Sequence, residues 1–335
     1  MANPRQPWCL PPESLEVWYN EKLQEGTGSF NSYCREAVDN VVRALHRICS
    51  TDLVPFDVDR VIKSGSLGKG TVVKELSDVD LVAFVNPPHL QPIVDVGPQT
   101  YKYQLDVVLR DMVRALRQLQ NVTDINNKGF LLKFKLTNIG PNRRSLSIDL
   151  MATSDCHLSD SRAKRKLFDA MLQQRADDRR YYSPAVIENQ LEFVRDQPGA
   201  LKALIRLVKY WAYQRLPDHL QKSYRLELIT IHRWENAGSP LRFSKAQGLK
   251  DVLQVLSNMS QLQVYWERHY DASVAKKAIS HFKMQRPIVL DPSEPTDNVC
   301  NLYMEGNNLQ LMRAAATTTL QSRLLQNVFV RQGWN

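Results

Sequence analysis

The stretch that most restricts what this chain can build is Gly65-Ser66-Leu67-Gly68-Lys69-Gly70-Thr71, followed closely by Ser77-Asp78-Val79-Asp80-Leu81-Val82-Ala83-Phe84-Val85. A glycine- and serine-rich turn can bring backbone N–H groups up to an anion. Val58 to Ser64 reads as a strand that delivers this turn, and the run after Asp78 reads as a second strand. Side chains at i and i+2 of a strand share a face, so Asp78 and Asp80 project together and can converge on one cation.

The glycines also raise the question of a P-loop, whose pattern is G-x-x-x-x-G-K-[ST]. Here Lys69 is followed by Gly70, and Lys63 stands where the upstream glycine is required. The P-loop is excluded.

Two further strands follow. Phe130, Leu132, Phe134 and Leu136 alternate with Leu131, Lys133 and Lys135, and Leu146, Ile148 and Leu150 alternate with Ser147, Asp149 and Met151. The second places a lone carboxylate, Asp149, on the face opposite its apolar residues. Asn86-Pro87-Pro88 ends the preceding strand, and Leu105, Val108, Leu109, Met112, Val113, Leu116 and Leu119 mark a helix for packing on the sheet. Before the first strand, apolar positions from Phe30 to Ile48 recur at three- and four-residue steps, the pattern of one long amphipathic helix to Cys49.

Beyond Met151 the pattern turns helical. Pro184 opens a helix through Arg195, and Ala200–Tyr213 carries Leu201, Leu204, Ile205, Val208 and Trp211 on one stripe with Lys202, Arg206 and Lys209 on another. A helix apolar on one side and cationic on the other suits a cleft wall, although such a charge run is also what a solvated face looks like. Tyr224–Glu235, Lys245–Met259 and Leu309–Leu325 read as further helices, and Arg286-Pro287-Ile288-Val289-Leu290-Asp291-Pro292 as a short strand and loop.

Composition narrows the class. With 335 residues the chain is large enough for a bilobal unit or two domains, and 43% hydrophobic with 24% charged residues is ordinary globular usage. A formal net charge of +9 points toward a polyanionic partner or substrate. Five cysteines stand singly without a C-x-x-C pair, and seven histidines show no metal-ligand spacing, which argues against a disulfide framework and a zinc site. No apolar run is long enough to span a bilayer and Met1–Pro7 lacks the core of a secretory leader, so a cytoplasmic protein with no membrane partner is expected.

An isolated D-x-D is common in solvated turns. Joined to the Gly65-Ser66 turn and to Asp149 on a later strand, it fits nucleotidyl transfer, in which two metal ions roughly 3.5–4 Å apart clamp the attacking and leaving oxygens. Three carboxylates suffice to hold two such ions.

These same motifs resemble the catalytic signature of the 2′-5′-oligoadenylate synthetases. The likeness continues in Leu204-Ile205-Arg206-Leu207-Val208-Lys209-Tyr210-Trp211, in Tyr224-Arg225-Leu226-Glu227-Leu228-Ile229-Thr230, in Trp234-Glu235 and in Arg286–Pro292 with Pro295-Thr296. The resemblance implies an α+β fold: a polymerase-β-like nucleotidyltransferase core with a mixed β-sheet over residues 1–155, and a helical C-terminal lobe over 156–335, making the chain bilobal. It implies Mg²⁺, two ions with Mn²⁺ as a substitute, on the catalytic Asp78, Asp80 and Asp149. Gly65, Ser66, Arg206, Lys209, Ser223 and Tyr224 would bind nucleotide, with Tyr224 stacking on a base. Lys63, Lys69 and Arg195 would meet RNA.

The expected function is a double-stranded-RNA-activated enzyme of innate immunity and antiviral defence that polymerises ATP into 2′-5′-linked oligoadenylates, acting as a monomer. Two departures leave alternatives open. Ser223 replaces the glutamine usual in the synthetases and is closer to the cyclic dinucleotide synthases, relatives of cyclic GMP-AMP synthase with invertebrate receptor forms, so a cyclic dinucleotide made from ATP or other nucleoside triphosphates is the first alternative. Around Asp196-Gln197-Pro198-Gly199-Ala200 the basic RNA contacts are replaced by small or acidic residues. That departure bears on the activator; separately from both, a catalytically silent RNA-binding scaffold is the second alternative.

Overall fold

A computed structural model describes residues 6–24, 27–49, 56–73, 79–139, 144–158 and 160–335. The chain forms two compact units, one of residues 28–195 and one joining residues 1–27 to 196–335. Compactness thus changes hands between Arg195 and Asp196, and the helices between residues 160 and 195 group with the sheet.

The unit of residues 28–195 is built on a five-stranded mixed sheet: β1 (Val58–Lys63), β2 (Val79–Val85), β3 (Val122–Asn127), β4 (Leu132–Ile139) and β5 (Arg144–Thr153). Their spatial order is β1-β2-β5-β4-β3, with β2 and β5 parallel and the other pairs antiparallel. β2 is buried along nearly its whole length, as its unbroken apolar run requires of a strand covered on both faces. β3 escapes the alternation rule because it is an exposed edge: Val122-Thr123-Asp124-Ile125-Asn126-Asn127 has no buried residue, and a bulge interrupts its pairing after Thr123.

Around this sheet stand α1 (Thr27–Cys49), α2 (Gly65–Lys69), α3 (Ile93–Leu116), α4 (Ser161–Leu172) and α5 (Ile187–Arg195). In α1, Cys34, Ala37, Val38, Val41 and Leu45 are buried at the predicted three- and four-residue spacing. α3 begins a dozen residues earlier than its apolar stripe predicts, because Gly97 at φ +74° bends the backbone ahead of Pro98 and lets the helix resume. The basic run from Arg162 lies on α4, whose N-cap Asp160 accepts from the Ala163 N–H at 2.7 Å while Leu167, Phe168, Met171 and Leu172 are buried.

The other unit is helical: α6 (Gly199–Arg215), α7 (Ser223–Asn236), α8 (Lys245–Ser257), α9 (Ala272–His281) and α10 (Asn308–Leu320), with a two-stranded parallel ladder of β6 (Gln263–Val264) and β7 (Ile288–Val289). On α6, Leu201, Leu204, Ile205, Val208 and Trp211 are fully buried, and the Trp211 indole donates to Thr319 Oγ1 at 2.9 Å. Close approach explains Gly248 on α8, where a Cβ would lie 2.7 Å from Leu204 Cδ2 and 3.0 Å from the Trp334 ring. Trp334 is itself fixed by its indole N–H on Asp251 at 3.1 Å. The N-terminal residues join this unit through buried Trp8, Leu15, Trp18, Tyr19 and Leu23, and Lys245 pairs with Glu16 at 2.6 Å. Among the described residues, no helix is long and apolar enough to cross a membrane.

Candidate active site

Two of the three expected carboxylates are brought together by strand register. Asp80 on β2 and Asp149 on β5 are direct partners in the parallel pairing, and residues so paired project from the same face. Both are half-buried, at the end of the sheet where α2 begins. Asp78, the third expected catalytic and metal-binding residue, lies outside the described residues.

The glycine–serine stretch is a one-turn helix, α2, where the sequence predicts a turn. It starts against Asp80: the Ser64 N–H donates to the Asp80 carbonyl at 2.8 Å, and Gly65 follows at φ +63°. A Cβ on Gly65 would stand 2.3 Å from Asp80 Oδ2, so only glycine lets the backbone run beside this carboxylate. One on Gly68 would stand 1.9 Å from the Lys63 carbonyl and 2.9 Å from Leu191 of α5. Gly70 closes the turn in the left-handed conformation, and the Thr71 N–H returns to the Ser66 carbonyl at 3.0 Å. Gly65 and Ser66 therefore form the first turn of a helix, whose amides point out of its N-terminal end.

Across β5 from Asp80 stands a cation that the sequence reading did not single out. Lys133 of β4 pairs in register with Asp149, and its ammonium lies 2.7 Å from Asp149 Oδ2. Its signal in the sequence was only an alternating strand with lysines on the polar side.

The residues expected to meet RNA have different surroundings. Lys63, at the end of β1, forms an ion pair with Asp39 of α1. Lys69 is buried, only 8% exposed. Arg195 is exposed at the end of α5, 3.4 Å from Glu192.

In the helical unit, Lys209, on the cationic stripe of α6, is not on a solvated face. It is 8% exposed and faces Glu227 of α7 at 3.5 Å, with Glu227 fully buried. Arg206 is half-buried and donates to the Tyr19 hydroxyl at 3.3 Å, while burial raises the Tyr19 pKa against the pull of that guanidinium. Ser223 and Tyr224 open α7. Burial raises the Tyr224 phenol well above its ordinary value, and the negative charge of the nearby Asp291 carboxylate adds to the shift.

Asp291 and Glu227 are carboxylates that sequence reasoning did not assign. Asp291, fully buried, accepts from the Ser293 and Glu294 amides at 2.7 and 3.2 Å, which folds the proline-rich segment into a tight loop. Its signal in the sequence is its place in the Arg286–Pro292 motif. Asn298 braces the same loop, its side chain bonded to Val289 N, Cys300 N and the Pro287 carbonyl.

Carboxylate oxygens are hard donors of the kind Mg²⁺ takes, and Asp80 and Asp149, adjacent on one face, fit such an ion. Among the described residues no group of three or more His, Cys, Asp and Glu side chains forms a metal cluster, and Asp78 is outside that set.

Comparison with known proteins bears on both units. Residues 160–335 match the family described as "2′-5′-oligoadenylate synthetase 1, domain 2, C-terminus". Over 325 residues the chain is 30% identical to 2′-5′-oligoadenylate synthase 1A of Mus musculus, covering 89% of this chain and 84% of the relative.

The chain belongs to the 2′-5′-oligoadenylate synthetase family.

Within that family it is also 30% identical, over 308 residues, to synthase 1A of Rattus norvegicus, covering 83% of this chain and 82% of that one. A rat relative described as inactive, synthase 1B, is 30% identical over 295 residues, covering 83% of this chain and 77% of its own length. Among solved structures, CdnC of E. coli MS115-1 in complex with HORMA-deltaN aligns with TM-score 0.59 at 17% identity, covering 92% of this chain and 89% of that one. The Cid1 poly(U) polymerase bound to MgATP aligns with TM-score 0.59 at 14% identity, covering 95% and 96%. The fold of this synthetase-family chain is thus the polymerase-β-like nucleotidyltransferase fold, α+β with a mixed sheet.

Proposed function

We propose that the chain is a nucleotidyltransferase that polymerises ATP into 2′-5′-linked oligoadenylates, releasing pyrophosphate, when double-stranded RNA binds. The observation that carries this reading is the register pair Asp80–Asp149 with Gly65 against Asp80, in a member of this family. Active and inactive relatives share similar identity, so the retained carboxylates matter more than the overall likeness.

In the proposed reaction the acceptor 2′-hydroxyl attacks the α-phosphorus of ATP, the new P–O bond forms as the bond to pyrophosphate breaks, and the hydroxyl proton leaves to solvent. Mg²⁺ on Asp78, Asp80 and Asp149, as two ions with Mn²⁺ able to substitute, would ease ionisation of the hydroxyl and neutralise charge on the phosphates. Asp80 is held for this by the Ser64 amide on its carbonyl and by the space that Gly65 leaves beside its carboxylate. Gly65 and Ser66 offer backbone N–H groups and a hydroxyl to the donor phosphates. Arg206 and Lys209 supply positive charge for the triphosphate, and Tyr224, at the start of α7, stacks on a base.

RNA is the proposed activator because the net charge is +9 and Lys63 couples two elements of the sheet unit. Lys63 ends β1, immediately before α2, and pairs with Asp39 of α1. An RNA phosphate taking Lys63 from Asp39 would free α1 relative to the strand that leads to Gly65, shifting a pre-existing equilibrium. Arg195, exposed at the end of α5, is the other proposed RNA contact, and Lys69, at 8% exposure, would reach RNA only after a rearrangement of α2. A monomer in the cytoplasm, acting in innate antiviral signalling, completes the reading.

Ser223 favours one second reading, a cyclic dinucleotide as product. Incubation with the four nucleoside triphosphates, Mg²⁺ and double-stranded RNA, followed by mass separation, decides between them. A ladder of adenylates supports the first reading, and a single cyclic dimer the second. RNA binding without pyrophosphate release in either Mg²⁺ or Mn²⁺ would leave a silent RNA-binding scaffold.

A further inference from the structure

The ammonium of Lys133 sits 2.7 Å from Asp149 Oδ2 because β4 and β5 place the two residues directly opposite. Asp80, Asp149 and Lys133 consequently form one row across three adjacent strands, with the carboxylates at one end and the cation beside the second. We propose that Lys133 is a built-in counter-cation of Asp149 that opposes loading of free divalent metal and favours metal delivered on a nucleotide polyphosphate. This rests on the reading of Asp149 as a metal-binding residue.

The exposure of the two side chains argues against a purely structural ion pair. The Lys133 side chain is 51% exposed and that of Asp149 only 24%, so the ammonium can swing into water while the carboxylate stays in place. An ion pair so open to solvent adds little to stability. For a divalent ion at Asp149, however, the same ammonium is a like charge within a few ångströms, on an oxygen whose lone pairs the ion needs at about 2.0–2.1 Å. The sign reverses when the metal arrives on a triphosphate. Phosphate oxygens then outweigh the metal's charge, and a lysine freed from Asp149 is attracted to the incoming complex.

Mn²⁺ binding to the full chain without nucleotide, read as loss of the free-ion electron paramagnetic resonance signal, tests this independently of turnover. Lys133→Met should tighten Mn²⁺ by about tenfold, while Lys133→Arg, which keeps the charge, should stay within about twofold of the unmodified chain. Lys133→Ser makes the same charge change on an exposed strand face, so it decides the matter if the methionine variant does not fold. Adding a non-hydrolysable ATP analogue should narrow the gap between Lys133→Met and the unmodified chain. Asp149→Asn separates the two layers of the argument: weakened Mn²⁺ binding there, with no change in either neutral Lys133 variant, overturns the role of Lys133 and leaves the carboxylate reading standing. Unchanged binding in Asp149→Asn removes the carboxylate reading and the role of Lys133 with it.

Discussion

Asp80 and Asp149 are direct register partners on parallel strands β2 and β5, although 69 positions separate them in the chain. Their nearness depends on the sheet order, since β5 inserts between β2 and β4. Replacing Asp80 by Ala should reduce product formation by about a hundredfold or more. The same variant should keep the unfolding temperature of the unmodified chain or exceed it, because a half-buried carboxylate is removed. Near-normal turnover by Asp80→Ala would exclude this residue from the chemistry.

Gly65 offers a sharper geometric test. Alanine there must hold φ +63° and place a Cβ 2.3 Å from Asp80 Oδ2. The backbone conformation alone costs about 1–2 kcal/mol, and the contact displaces the carboxylate. Gly65→Ala should lower kcat far more than its modest loss of stability explains, as measured by turnover and denaturant unfolding on the same samples. Gly70→Ala, at φ +72° but at the far end of α2, should show the stability loss with a smaller loss of rate.

Lys209 and Glu227 form a buried pair, and breaking one side of such a pair typically costs about 3–5 kcal/mol. Lys209→Met should therefore destabilise strongly by removing the ammonium that faces the buried Glu227 carboxylate. Adding Glu227→Leu removes that carboxylate and should restore most of the stability. If Lys209 also serves the triphosphate, the double variant folds but retains a raised KM for ATP; a double variant with normal KM makes the lysine structural only.

A pH dependence follows from His232 on α7. Burial, with the neighbouring Arg233 guanidinium, lowers its pKa from 6.5 to about 4, against the opposing pull of Asp251, and Asn236 shares a hydrogen bond with its Nε2. The folded imidazole is held neutral, so the unfolded chain binds more protons between those two values. Stability contributed by the neutral ring is complete above pH 6.5 and is lost as pH falls toward 4, up to about 3 kcal/mol. His232→Gln should flatten the fall in unfolding free energy between pH 6.5 and 4 relative to the unmodified chain.

The parts of this molecule that were legible in its sequence are those where burial imposes a period. The stripe of α1, the apolar run of β2 and the alternation of β4 and β5 could be read because each buries one side or both. β3 could not, since an exposed edge strand with a bulge buries nothing in register. The true start of α3 was hidden by Pro98, which normally ends a helix, and α4 was hidden behind its own basic face. At the site, Asp80 and Asp149 were visible as strand carboxylates, but Lys133 was not, because its role arises from the pairing of β4 with β5. The burial of Lys209 was illegible for a related reason: helical spacing does not show a partner on another helix, here Glu227.

The central claim is tested most directly by supplying the purified chain with ATP, Mg²⁺ and double-stranded RNA, following pyrophosphate release, and resolving products by mass with Asp80→Ala alongside. RNA-dependent pyrophosphate release and a ladder of oligoadenylates that resists a 3′-5′-specific nuclease are expected, both absent in Asp80→Ala. Absence of pyrophosphate release from the unmodified chain under these conditions, with RNA bound, would contradict it.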